Sequence, residues 1–470
     1  MAPFGATALT SPSLPMWHDI KRIAALAWPV LIGQLAVIAF GVMDTAMVGR
    51  ASAFDLASLA LGGSIYITVY VGLMGILVAL SPIAAQRFGA GERLEIGEEV
   101  RQAIWLALFL AIPGFLLLTH PQFILRLSEA NPELEVRASA YLQILAFGLP
   151  AALLFRVYSS LSTAVAQPRI VMAIQVTGLA LKVPLNLALI YGVERIGIPP
   201  LGSTGCAIAT TAINWVSCAL GLTLMVRHSK LREFGIFSHF CWPQWHAIRT
   251  LLKLGVPMGL SYLIEVTAFS FMAIFITRLG DTTLAGHQIA ANLGALTYML
   301  PMSIAIATAT LTAQAIGARN FSAAHLVGRH GILFAGMLSA GLASLVWLTR
   351  PWIVEAYTTD PAVAAVATPL LAFVAFYHLF DALQVSAVFV LRAWKVAIVP
   401  TVIYAVSLWG VGLGGGYVLG FDSWGLSPAW LHGATGFWFA NGASLAVAAC
   451  GLLCYLRWVA SAKGGRGLAS

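Results

Sequence analysis

Three carboxylates lie where an acid is expensive. Asp44, Glu265 and Asp381 each sit inside a long apolar run, whereas the other 15 of the 18 acids fall in polar segments or at run ends. A charged group in hydrocarbon costs roughly 2.5–3.5 kcal/mol on insertion scales, so it is kept where it is paired, faces water or does work. Glu265 comes 12 residues after Lys253 and 13 before Arg278, which sets it near the middle of its run. Ser261 lies one turn before it on the same helical face, and no base shares that face. Asp381 comes 11 residues before Arg392. Tyr377, His378, Asp381 and Gln384 follow helical spacing and form a polar stripe on an otherwise apolar helix. The chemistry such residues can do is reversible cation binding. Desolvation disfavours the ionised form of a carboxyl. Two desolvated carboxyls can therefore hold protons near neutral pH and yield them to a competing cation, so Glu265 and Asp381 are expected to bind Na⁺ or H⁺.

The first half of the chain is charged differently. Asp44 precedes Arg50 by six residues, and the same half carries Arg156 and Lys182 inside apolar runs. Gln175, Lys182 and Asn186 share one helical face, with Pro184 between the last two; Arg156 shares a face with Ser159, Ser160 and Thr163. An ion pair of Asp44 with Lys182 or with Arg156 is expected here, against two acids and no base in the second half. His287, Gln288 and Asn292 open another run; His287 reads as a hydrogen-bonded packing residue. Gln34 and Gln288 complete the polar residues expected to meet substrate, with Tyr377, His378, Gln384, Lys182 and Asn186. There is no Walker A loop, no H-E-x-x-H and no metal-ligand cluster, so neither enzyme chemistry nor a cofactor is expected. The five cysteines form no C-x-x-C pair, read as small apolar residues and imply no disulfide framework.

The elements that position these groups follow from composition. Hydrophobic residues make up 60% of the 470 residues and charged ones 9%, against about 25% in a soluble protein. A soluble surface cannot be built from that supply. Disorder, collagen and coiled coil are excluded with it, and continuous runs argue against a transmembrane β-barrel. The first run, after Lys21 and Arg22, is too long for a signal peptide. The expected fold is an all-α polytopic membrane protein with about twelve transmembrane helices. The spans lie near 20–48, 57–85, 102–119, 138–162, 168–192, 203–226, 250–277, 284–314, 331–349, 363–391, 396–419 and 433–457. With the N-terminus inside, eighteen Lys and Arg fall on the cytoplasmic side and six, among them Arg50, Arg195 and Arg278, outside. That bias is what the positive-inside rule expects with both termini cytoplasmic. It also gives the net charge of +8 a role other than binding nucleic acid, which is not expected as a partner.

The chain repeats itself. Residues 29–91 align without a gap on 257–319, a shift of 228, with 13 identities in 63 positions, including Pro29/Pro257, Arg50/Arg278, Tyr70/Tyr298 and a shared A-Q-x-x-G-A. Weaker echoes pair 167–169 with 393–395 and 202–205 with 433–436. Two six-span repeats keep the same orientation, which implies a pseudo-twofold axis along the membrane normal, as in secondary transporters. The expected organisation is a tail at 1–19 (disordered over 1–16), a six-helix bundle at 20–226, a solvated linker at 227–249, a second bundle at 250–457 and a tail at 458–470.

These residues carry a family resemblance. Trp28-Pro29-Val30, Met43-Asp44-Thr45, Ala85-Gln86 with Gly89-Ala90-Gly91, Val183-Pro184-Leu185-Asn186, Ile264-Glu265-Val266-Thr267, Ala285-Gly286-His287-Gln288, Pro301-Met302-Ser303 and Asp381-Ala382-Leu383-Gln384-Val385 with Leu391-Arg392 occur in order over almost the whole chain. The chain resembles multidrug and toxic compound extrusion (MATE) transporters of the NorM type. The resemblance implies a V-shaped pair of six-helix bundles in the bacterial inner membrane. It implies export of organic, often cationic, drugs in antiport with Na⁺ or H⁺, hence antibiotic resistance, by a monomer without a cofactor. It assigns the cation site to Glu265 and Asp381, a coupling role to Asp44, and a polar pair to Lys182 and Asn186. The family usually has Asn or another polar group where Lys182 stands, and an ammonium there competes with any bound cation. A lipid-linked glycan flippase of the same superfamily, an ion channel and a membrane enzyme are the rival readings. A flippase would want a cationic cavity, which the acidic second half does not offer.

Overall fold

In lipid every backbone polar group must be satisfied within the segment, so long apolar runs become helices. The computed structural model of the chain describes residues 15–126, 131–193, 197, 199–425 and 427–467. Most of the expected N-terminal tail and the outer arginine Arg195 lie outside the described residues. Among the described residues twelve helices are long and apolar enough to cross a membrane: α1 Met16–Ala51, α2 Ala53–Ala90, α3 Arg93–Thr119, α4 Pro132–Ala164, α5 Pro168–Ile190, α6 Gly202–Arg227, α7 Trp245–Thr277, α8 Asp281–Gly317, α9 Phe321–Tyr357, α10 Pro361–Ala393, α11 Ile398–Gly420 and α12 Ala434–Ser461. No β-strand occurs among the described residues. The expected helix count and fold class hold.

Prolines and glycines shape these helices. Pro82 cannot donate to the Val78 carbonyl, which instead accepts the Ser81 N–H at 3.0 Å; α2 breaks there into Ala53–Leu77 and Leu80–Ala90. By contrast α5 and α8 run on through Pro184 and Pro301. In α11 a π-helical stretch, Ala405–Gly414, follows Tyr404. Glycines at 410, 412, 414, 415 and 416 weaken the ordinary helix there.

The repeat is written into the corners as well as the sequence. Glu92 N–H donates to Arg87 O and Asn320 N–H to Ala315 O, both at 3.0 Å, and these pairs are 228 residues apart. Between the bonded partners, Gly91 and Arg319 both take the left-handed conformation, at φ +78° and +57°. This helix ending is the Schellman type. A second equivalent pair follows: Gln167 to Ser162 and Val396 to Leu391, around Ala166 and Lys395 with φ near +56° and +57°.

Packing groups the chain into two compact units. One comprises Met1–Leu31 with Leu260–Ser470, the other Ile32–Gly259. The second-half unit holds the beginning of α1: Ile23 and Ala27 sit in one core cluster with Ile304, Ala307, Leu311, Val327 and Ala335, and Asp19 Oδ2 meets His330 Nδ1 at 2.8 Å. The first-half unit holds the beginning of α7, where Gly255 and Gly259 let the backbone close onto Ile76 and Gly72 of α2.

The linker is exposed over most of its length but pinned at a few points. Leu231, Phe234 and Ile236 are buried, and Gly97 of α3 lies against the Phe234 carbonyl. Arg101 Nη1 donates to Gly235 O at 2.9 Å and Ile236 O at 3.2 Å, and Trp105 Nε1 to Cys241 O at 2.9 Å. The Cys241 thiol donates to Glu98 at 3.2 Å, and that bond to a carboxylate pushes the thiol's pKa up. All five cysteines are free; Cys206 and Cys218 are buried, Cys241 is half-buried, and Cys450 and Cys454 are exposed.

Candidate cation site

The second-half unit brings its two intramembrane acids together. Glu265 is half-buried on α7 and Asp381 is buried on α10, and the two carboxyls are close enough to interact electrostatically. Four elements surround them. The Tyr298 hydroxyl of α8 hydrogen-bonds Glu265. On α10, Gln384 Nε2 donates to Asp381 Oδ1 at 3.0 Å. The Tyr404 hydroxyl of α11 donates to Gln384 Oε1, which fixes the orientation of the amide. Ser261, on the turn before Glu265, bonds Thr401 at 2.8 Å and ties α7 to α11. Carboxylate, amide and phenol oxygens are hard donors, a set that suits a proton or an alkali cation.

The expected polar stripe on α10 therefore divides. Asp381 and Gln384 join the acid cluster. Tyr377 stacks instead on Trp438 of α12, at 5.8 Å between centroids, and Trp438 Nε1 donates to His287 Nδ1 at 3.2 Å. This agrees with His287 as a packing residue. His378 is buried, and its Nε2 has no hydrogen-bond partner among the described residues. Gln288 is exposed and Gln34 is half-buried.

One expectation is corrected. The second half does contain a base among its buried groups. Arg392 ends α10 buried rather than in a loop, donates to the Tyr262 hydroxyl at 3.1 Å, and lies 4.8 Å from the Tyr262 ring and 4.7 Å from the Phe389 ring. Its charge reaches Glu265 electrostatically. Sequence position at a span end concealed this, because a long guanidinium can turn back from a helix end onto aromatic faces.

In the first-half unit the expected ion pair forms with Lys182. Its Nζ lies 2.6 Å from Asp44 Oδ2, and Asn186 Nδ2 donates to Asp44 Oδ1 at 2.8 Å. The Cys206 thiol also bonds Asp44, and the ammonium lies 5.1 Å over the Phe40 ring. Both ionic side chains are buried, with 3% of Lys182 and 12% of Asp44 exposed, so the pair has little water to share. Arg156 takes no part in it.

Tyr298, Tyr404, Tyr262 and Arg392 were missed as site residues. Tyr298 carried a signal, as the repeat partner of Tyr70. Tyr404 and Tyr262 carried none, since a tyrosine among other aromatics in an apolar run reads as packing.

The MatE family model matches residues 29–188 and 257–418, the two repeats. A probable multidrug resistance protein NorM of Aromatoleum aromaticum is 39% identical over 422 residues, 89% of this chain and 90% of its own. The multidrug resistance protein PmpM of Pseudomonas aeruginosa is 36% identical, covering 92% and 91%. Among solved structures, the eukaryotic MATE transporter AtDTX14 superposes with a TM-score of 0.85 at 18% identity, covering 96% and 99%. An outward-facing multidrug resistance MATE family transporter superposes with a TM-score of 0.86 at 19% identity, covering 98% and 99%; these structures share the fold. The chain belongs to the MatE family, as a NorM-like member.

Proposed function

We propose that this chain is a secondary active multidrug efflux transporter that exports organic, often cationic, compounds in antiport with Na⁺ or H⁺. Multidrug efflux is supported by family membership and by the identity with multidrug resistance proteins over most of their length. The coupling part rests on one observation: two neighbouring carboxyls, Glu265 and Asp381, held inside one unit by Tyr298 and by the Tyr404–Gln384 relay.

In this reading a cation from outside binds Glu265 and Asp381 and stabilises the state that releases drug. It can do so only if its affinity differs between the two states. An affinity ratio of about 10⁴ moves such an equilibrium from one side to the other. Asp44 contributes to coupling through its bond with Lys182 and Asn186. Of the polar residues expected to meet substrate, His378, Gln34 and Gln288 remain to offer contacts, since Tyr377 stacks on Trp438 and Gln384 is bonded at both ends of its amide. The protein works as a monomer in the inner membrane with both termini cytoplasmic, an orientation supported by the eighteen-to-six distribution of Lys and Arg.

The test is efflux of ethidium from proteoliposomes, first under a Na⁺ gradient and then under a pH gradient. One of the two gradients should drive efflux, and Glu265→Gln and Asp381→Asn should each abolish it while the protein still inserts. Unchanged efflux in both variants sinks the assignment of the cation site.

A further inference from the structure

The linker and the turn that follows it carry unmatched charge. From residue 227 to 253 the bases are Arg227, Lys230, Arg232, Arg249 and Lys253, and the single acid is Glu233. All five bases are exposed, and none forms an ion pair among the described residues. The acids that open α3, beside the linker, are already engaged: Glu92 and Glu95 hold Arg87, and Glu98 holds Arg101. A surface of one sign, left without counter-charges, attracts anions.

The same segment bares aromatic rings. Trp242 stacks on Trp105 of α3 at 6.5 Å between centroids, and Phe240 meets both edge-on, at 5.2 Å and 6.2 Å. Even so, Phe240 is 69% exposed and Trp242 73%, as is 69% of Trp245 at the start of α7. Rings clustered on a surface in this way mark a contact with something apolar. Trp105 fixes their depth. The uncharged run of α3 extends from Ala103 to Thr119, with Glu98 and Arg101 just before it. Trp105 therefore stands at the edge of the hydrocarbon, the level that tryptophan favours. Further along the same helical face Phe109, Ile112 and Leu116 are exposed, an apolar stripe continuous with the cluster. Arg101 and Trp105 pin the linker to α3, so the rings are held at that level by the bundle.

We propose that Phe240, Trp242 and Trp245, flanked in sequence by Lys230, Arg232 and Arg249, form a docking surface for anionic phospholipids in the leaflet on the linker's side. The rings enter between the headgroups, and the ammonium and guanidinium groups meet the phosphates. The positive charge selects anionic over zwitterionic lipid. The depth of the rings selects a bilayer over an acidic protein in solution.

The experiment offers the purified full chain phosphatidylglycerol and phosphatidylcholine of identical acyl chains, and counts the lipids it retains by native mass spectrometry. Each Lys or Arg near an anionic surface is worth about fivefold, and three act together, so the wild type should prefer phosphatidylglycerol about a hundredfold. The triple variant Lys230→Gln, Arg232→Gln and Arg249→Gln should bring that preference below about tenfold. The control Arg329→Gln with Arg457→Gln removes exposed bases of the other unit and should leave it within about twofold. Phe240→Ser should weaken retention of both lipids by a similar factor, as insertion of a ring does whatever the headgroup. Should the triple variant fail to fold, its three single variants carry the test, each with a loss of about fivefold. A wild type without preference overturns the proposal and leaves the surface to an acidic protein. A preference that survives the triple variant, or that falls equally in the control, overturns it too, as does a Phe240→Ser variant that retains both lipids unchanged.

Discussion

The two units hold their buried acids in opposite ways. Asp44 is bound to a full positive charge, Lys182, with Asn186 and Cys206 closing the remaining positions. Glu265 and Asp381 are held by neutral donors, a tyrosine on one and an amide on the other, while the nearby Arg392 spends its hydrogen bond on Tyr262. A carboxylate that already owns a cation has little to offer another. Two carboxyls held by neutral groups can take one up and release it. The repeat makes the contrast sharper, because Tyr70 and Tyr298 are equivalent residues: one stands beside Arg156 and the other beside Glu265.

The largest expected effect tests whether the Asp44 pair is fixed. Asp44→Asn leaves the Lys182 ammonium buried without its counter-charge, which costs about 3–5 kcal/mol. Thermal unfolding of the purified protein should show a loss of that order, whereas Glu265→Gln and Asp381→Asn should cost less than half as much. Equal losses would erase the distinction between the units. Next in size, the double variant Asp44→Asn with Lys182→Met should recover at least about 2 kcal/mol of the single loss, a coupling expected of groups in direct contact. Additive losses would mean the pair is not a unit.

Smaller effects separate the repeat-equivalent tyrosines. Tyr298→Phe removes a hydrogen bond to a carboxylate worth about 1.5 kcal/mol. It should move the ion concentration of half-maximal ethidium efflux about tenfold. Tyr70→Phe, in the unit without the acid pair, should leave that concentration unchanged. If both variants move the same quantity, the two sites are not specialised. The smallest effect concerns Glu98, an acid that holds the linker. Its bond keeps the Cys241 thiol protonated to higher pH than usual, so maleimide labelling of Cys241 should be slow at neutral pH and rise only as pH climbs. Glu98→Gln should shift that profile to lower pH, and an unshifted profile would mean the bond is not made.

Much of this was legible in the residues. Spans and family were readable because they rest on many residues at once: twelve apolar runs, a repeat at constant shift, and motifs in order. Asp44, Glu265 and Asp381 stood out because an acid inside an apolar run is rare. What escaped were contacts made across helices. Arg392 looked like a loop residue because its backbone is at a helix end, yet its side chain turns onto Tyr262 and Phe389. The linker's charge told of its exposure but not of its anchors, the donors that α3 supplies to its carbonyls. The stripe on α10 shared one helix, but its members met different neighbours: Gln384 found Tyr404 and Tyr377 found Trp438.

The unit boundaries at 31/32 and 259/260 are themselves 228 residues apart, the register of the repeat. Each half of the chain thus lends the opening turns of its first helix to the other half's core, and receives the same in return. A gene cut at the linker would give two polypeptides, each missing a piece of its interior and each carrying the piece the other needs. Co-expressed, they can complement one another; expressed alone, neither closes its core.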